Sequence, residues 1–191
     1  MVSTRWLNLH QEVIHAGLSK QAIELLYDMS QSHNHVSYSR PSFQDTWLQI
    51  AHEISKRSPD AETQVGAVIV SKTNHILSIG YNGWMPGIDD SLIPNVRPGK
   101  HEWCIHSELN AILACEHKPR GATLYCTHLP CLQCFFACVA AEIAEIVYIK
   151  GTETTNTKDK DVHWEVAQFL ARTQIQVRGV DFTPIERQEN K

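Results

Sequence analysis

No apolar run in this 191-residue chain approaches the roughly 18 residues of a membrane span. The N-terminus also lacks the basic segment followed by an apolar block that marks a secretory signal. Together these absences lead us to expect a cytoplasmic protein with no membrane partner. Basic residues form no cluster: 17 lysines and arginines stand against 21 acidic residues, for a formal charge of -4 and a pI near 6.2. An extended nucleic-acid surface is therefore not expected. No cysteine precedes Cys104, and all six (Cys104, Cys115, Cys126, Cys131, Cys134, Cys138) fall in one short central segment. That is a poor way to spread disulfides over a domain, so metal ligation and small buried packing are the better uses of these thiols.

What is present is a chain 42% hydrophobic and 20% charged, long enough for one domain that buries about 70% of its unfolded surface. Two helix-like pieces over residues 5–16 and 20–29 repeat apolar positions every three to four residues (Trp6, Leu9, Val13; Ile23, Leu26). The polar stretch "SQSHNHVSYSRPS" then reads as a linker, with His33 and His35 as solvated side chains. From residue 43 the spacing predicts a helix N-capped by Asp45, carrying Trp47, Ile50, Ala51 and Ile54 on one face and ending near "SKRSPD". "QVGAVIV" and "HILSIGYN" form a hairpin, and a Gly- and Pro-bearing loop leads to a helix starting near His106. Strand "ATLYC", a helix from Cys131, strand "EIVYIK", a helix over residues 160–171 and strand "IQVRGVDF" follow. This alternation predicts an α/β fold with one mixed, largely parallel sheet between helices. The expected organisation is an extension and linker over residues 1–42, a domain over 43–184 and a polar tail over 185–191.

The chemistry concentrates in "HSELNAIL" and "LPCLQCFFAC". Pro130 suits a helix start, which puts the Cys131 and Cys134 thiols in the first turn, where the helix dipole favours thiolate. With a neutral His106 they make three protein ligands for Zn2+, leaving a fourth position open as in catalytic rather than structural sites. Residues two apart do not share a helix face, so Glu108 is badly placed to chelate alongside His106 and well placed to handle a proton beside it. Cys104, Cys115, Cys126 and Cys138 read as buried packing.

The pairing of "HSE" with "PCLQC" resembles the zinc-dependent nucleoside and nucleotide deaminases. With "KRSPDAETQVGAVIV" and "IGYNGWMPGIDD" in the same order, residues 43–182 are similar to deoxycytidylate (dCMP) deaminases. The resemblance implies a cytidine deaminase-like fold, a five-stranded mixed sheet between helices, and hydrolysis of dCMP to dUMP and ammonia, with Glu108 as base and then acid. It implies that Asn82 orients sugar and base and that Arg57 binds the substrate phosphate, a match of guanidinium to phosphate geometry. It further implies a homohexamer activated by dCTP and inhibited by dTTP, with Mg2+ accompanying the triphosphate. The loop that resembles the effector site contributes Gly83, Trp84, Gly87, Asp89 and Asp90.

Four departures stand out. Trp84 shifts the register of that loop against the usual pattern, and Ser107 replaces a usual alanine. "GTETTNTKDKDVH" lacks the tyrosine that lies over the base in many relatives, so either Trp103 or Trp164 stacks there or the substrate differs. The lack of early cysteines removes the second zinc site of some phage relatives. The competing readings are a deaminase of the same fold acting on tRNA adenosine, a free base, another cytosine nucleotide or nucleoside, or a riboflavin precursor, and a non-catalytic, zinc-stabilised nucleotide sensor. The acidic balance opposes the tRNA reading, and an intact Glu108 opposes the sensor.

Overall fold

The computed structural model of the protein describes residues 19–22, 24–25, 40–94, 99–152 and 172–185. The chain divides into two compact units, Met1–Arg40 and Pro41–Lys191. In the first, Lys20, Gln21, Ala22, Glu24 and Leu25 are helical, within the helix expected there, and the Ser19 hydroxyl accepts from the Ala22 amide. The helix expected over residues 5–16, the linker histidines, the helix expected over 160–171 with Trp164, and the tail from residue 186 lie outside the described residues.

The second unit opens with helix α1 (Phe43–Ser55). Its N-cap is Ser42 rather than Asp45: the Ser42 hydroxyl accepts from the Asp45 amide at 3.0 Å and donates to its carboxylate at 2.6 Å. Asp45 is instead the third residue of the helix, and both of its bonds to the cap run through the Ser42 hydroxyl. Strands β1 (Gly66–Val70) and β2 (Ile76–Tyr81) make the expected hairpin, turned at Asn74 with φ 58°. Two short strands follow, β3 (Gly83–Trp84) and β4 (Cys104–Ile105), then α2 (Ser107–Leu113), β5 (Thr123–Cys126), α3 (Leu132–Ala140), β6 (Glu145–Ile149) and β7 (Gln176–Val180).

The main sheet runs β2-β1-β5-β6-β7. β1 is antiparallel to both neighbours, while β5-β6 and β6-β7 are parallel, so the sheet is mixed in equal parts rather than largely parallel. The hairpin supplies one antiparallel contact, and the long excursion between β2 and β5 returns the chain to the other side of β1 in the opposite sense. All of β1 is buried, and its side chains alternate between two cores. Ala67 and Ile69 join Leu124, Cys126, Ile146 and the α2 and α3 residues Ala111, Phe135 and Cys138. Val68 and Val70 join Tyr125, Val147 and the α1 residues Trp47, Leu48 and Ala51. One helix therefore covers one face, and α2 with α3 covers the other. Each fully buried Leu, Ile or Phe contributes about 1.5–3 kcal/mol, which is how so short a sheet holds two helix N-termini in fixed relation. Among the described residues, no helix is long and apolar enough to cross a membrane.

Candidate metal centre and active site

α2 and α3 both start where chemistry was expected. His106 is the N-cap of α2 and Cys131 the N-cap of α3, each in extended conformation, and neither side chain makes a capping hydrogen bond. Pro130 stands one position outside the helix, so only Cys134 lies in the first turn. Its neighbour Cys131 stands at the cap, one residue earlier than the proline suggested. α2 is held by its backbone. A Cβ on Gly80 of β2 would overlap Ser107 and Ala111 main-chain atoms, and the Ser78 hydroxyl donates to the Ala111 carbonyl at 2.6 Å. The Asn110 amide donates to the Tyr81 carbonyl at 2.8 Å. On the other side, Thr127 clamps the end of β5 to Gly66 through both its backbone amide and its hydroxyl.

The result is a triangle of donor atoms. Cys131 Sγ and Cys134 Sγ each lie 3.5 Å from His106 Nδ1, and all three ligand atoms fall within 4.8 Å of one another. Tetrahedral zinc with ordinary Zn–S and Zn–N bonds requires an S···N separation of about 3.6 Å, so the triangle fits that ion. Two sulfurs and one imidazole are also the donor set zinc prefers. Hydrogen bonding from Cys134 and His106 pulls the Cys131 thiol down to about 4, while the same sharing with Cys131 pushes Cys134 up. The hydrogen bond to Cys131 likewise raises His106. Binding a divalent cation displaces these shared protons.

Glu108 is only 4% exposed, in the first turn of α2. Burial raises its pKa; its own backbone amide, the His106 charge and a hydrogen bond from Ser107 act in the opposite direction. A carboxyl whose pKa is raised by burial in a nearly dry site is suited to take a proton and to give it back.

Asn82 is 5% exposed, and its amide is engaged on both sides. Its oxygen accepts from the Val65 amide at 2.7 Å, and its nitrogen donates to the Thr63 carbonyl at 2.8 Å. Behind it is a pair that sequence reasoning missed. Lys100 (2% exposed) reaches both oxygens of Asp60 (3% exposed) at 2.7 and 2.8 Å and Glu62 at 2.7 Å. Asp60 also accepts from the Glu62 and Thr63 amides. Burial alone would raise the Asp60 pKa, but these donors hold it below the usual carboxylate range. The only signal in the sequence was a lysine and an aspartate forty residues apart, each unremarkable in its own loop.

Arg57 is exposed just beyond the C-cap of α1, its amide bonded to the Ile54 carbonyl. The effector-loop residues scatter. Gly83 and Trp84 are buried in β3, paired with Ile105 and Cys104. Gly87 turns with φ 87° in open space, and Asp89 is exposed and accepts from the Ser91 amide. Asp90 begins a short 3-10 turn. Trp103 is 41% exposed. All six cysteines are free thiols; Cys126 and Cys138 are buried, while Cys104 and Cys115 are partly so.

Residues 41–150 match the family described as the cytidine and deoxycytidylate deaminase zinc-binding region. The chain belongs to that deaminase family. A probable deoxycytidylate deaminase of Caenorhabditis elegans is 34% identical over 113 residues, 56% of this chain and 57% of the relative. The deoxycytidylate deaminase of Mycobacterium phage D29 is 34% identical over 126 residues, covering 59% of this chain and 98% of the relative. This deaminase-family chain thus spans less than three-fifths of the worm relative and nearly all of the phage one. The dCMP deaminase of cyanophage S-TIM5, solved in complex with dCMP and dUMP, superposes with a TM-score of 0.57 at 22% identity, over 75% of this chain and 100% of that one. It shares the fold.

Proposed function

We propose that the protein deaminates dCMP to dUMP and ammonia by zinc-assisted hydrolysis. The observation that carries this is a buried carboxylate, Glu108, two residues beyond the histidine of a donor triangle with tetrahedral zinc spacing. His106, Cys131 and Cys134 would hold zinc, which would supply the Lewis acidity that makes water a nucleophile near neutral pH. Glu108 takes a proton from that water and delivers it to N3 of cytosine. It then carries the second proton to the amino group as the bond to C4 breaks, which balances water in against ammonia out. Asn82, held rigid by Val65 and Thr63, keeps a second lone pair on its oxygen for a substrate hydroxyl. Arg57 is the exposed guanidinium assigned to the phosphate. The relatives named deoxycytidylate deaminase support a nucleotide over a free base.

The same reading assigns residues 43–184 to the catalytic unit and 1–42 to an extension. It also carries control by dCTP with Mg2+ and by dTTP through the loop from Gly83 to Asp90, a homohexameric assembly and a cytoplasmic setting. The test is to incubate zinc-replete protein with dCMP, with and without dCTP and magnesium, following ammonia release and dUMP. Turnover stimulated by dCTP supports enzyme and effector site together. No turnover with zinc bound removes dCMP as the substrate, and faster turnover of cytidine than of dCMP removes the phosphate role of Arg57.

A further inference from the structure

Ser107, the first residue of α2, is fully buried, and its hydroxyl lies 2.9 Å from Oε2 of Glu108. The serine is the donor and the carboxylate oxygen the acceptor. The serine oxygen is then left as an acceptor, 3.9 Å from the Cys126 sulfur at the end of β5. Cys126 is itself fully buried, and burial keeps it a protonated thiol. The three groups form a string of fixed polarity, thiol to hydroxyl to carboxylate. It cannot drift, because Gly80 brings the α2 backbone against β2 and Ser78 holds the next turn.

We propose that Ser107 is a positioning residue for Glu108: its hydroxyl pins Oε2 and leaves Oε1 as the oxygen that moves protons. A carboxylate has two equivalent oxygens on a freely turning terminal torsion. Catalysis by one group at three successive positions, water, ring nitrogen and departing amine, is faster when the working oxygen stays on one arc. The hydroxyl breaks the equivalence. Alanine at this position fills the same backbone site without the donor, so Ser107→Ala separates positioning from folding. The inference rests on the deaminase reading for its rate effect, but not for its structural effect.

The experiment is to prepare zinc-loaded wild type and Ser107→Ala, with Ser107→Thr as the variant that keeps the hydroxyl. Zinc content, melting temperature, crystal structures and dCMP kinetics are then compared. Expected are equal zinc content and a melting temperature close to wild type for Ser107→Ala. Glu108 should spread over more than one rotamer there, and kcat should fall about tenfold, the order expected for a lost hydrogen bond to a charged group, with KM within twofold. Ser107→Thr should restore both the single rotamer and kcat. A Glu108 carboxylate that keeps the same single position in Ser107→Ala, or a kcat that does not change, overturns the proposal. If wild type fails to turn over dCMP while Ser107→Ala still loosens Glu108, the substrate reading falls and the positioning role stands.

Discussion

The N-terminus of α1 and those of α2 and α3 are built on opposite priorities. α1 is capped by Ser42, whose hydroxyl satisfies the free Asp45 backbone amide and donates to the Asp45 carboxylate. α2 and α3 are capped by His106 and Cys131, which make no such bond and point instead at Cys134 and at each other. A serine or aspartate at either position would stabilise its helix by about 1 kcal/mol. The chain forgoes that twice, on adjacent helices packed into one core, and local rules broken in concert mark function more surely than either break alone.

The largest effect comes from breaking the unconventional pair outright. Cys134→Ala should abolish zinc binding and turnover, read by metal analysis and ammonia release; stoichiometric zinc in that variant would contradict the ligand triangle. Glu108→Gln should bind zinc as wild type does yet lose activity by about 10²–10⁴-fold, the range for a positioned acid/base. Turnover at the wild-type rate would end its role.

Lys100→Met leaves Asp60 buried without its main partner, at a cost of about 3–5 kcal/mol, to be read from denaturant midpoints. The pH profile sharpens this. Asp60 is depressed in the folded state, so its contribution is present above the unfolded carboxylate pKa of about 3.9 and is lost as pH falls through the lower folded value. Lys100 is raised by Asp60 and Glu62 against the lowering effect of burial. Its contribution is complete below the unfolded lysine pKa of about 10.4 and disappears as pH rises through the higher folded value. Wild type should therefore hold this stability between about pH 4 and 10, and an unaltered stability profile in Lys100→Met would show the pair to be idle.

The smallest effect tests the comparison directly. Ser42→Ala should cost about 1 kcal/mol, while His106→Asn, compared with wild type in metal-free form, should gain a similar amount as it loses zinc. A His106→Asn variant no more stable than metal-free wild type would show that the α2 N-terminus had given up nothing.

Much of this was legible in one dimension because the signals are local. The continuous apolar run in β1, the break at residues 71–74 and the Cys-x-x-Cys after a proline each need only a few neighbours. Asp45 against Ser42 as cap failed by three residues because serine and aspartate are both favoured caps and both stand before the apolar face of α1. The equal mix of parallel and antiparallel pairing was missed because strand order is set by where a long excursion returns, which no window of sequence contains.

Sequence by itself determined which side chains could ligate and which could move protons, since His, Cys and Glu carry those capacities wherever they stand. It also determined the alternation that gives each strand two faces. Only the tertiary structure decided that two helix N-caps meet at 3.5 Å, that Lys100 finds Asp60 in a dry interior, and that Ser107 turns its hydroxyl onto Glu108. Distances of that kind depend on two cores packing α1 on one face of the sheet and α2 with α3 on the other, and close packing is a property of the whole fold rather than of any segment.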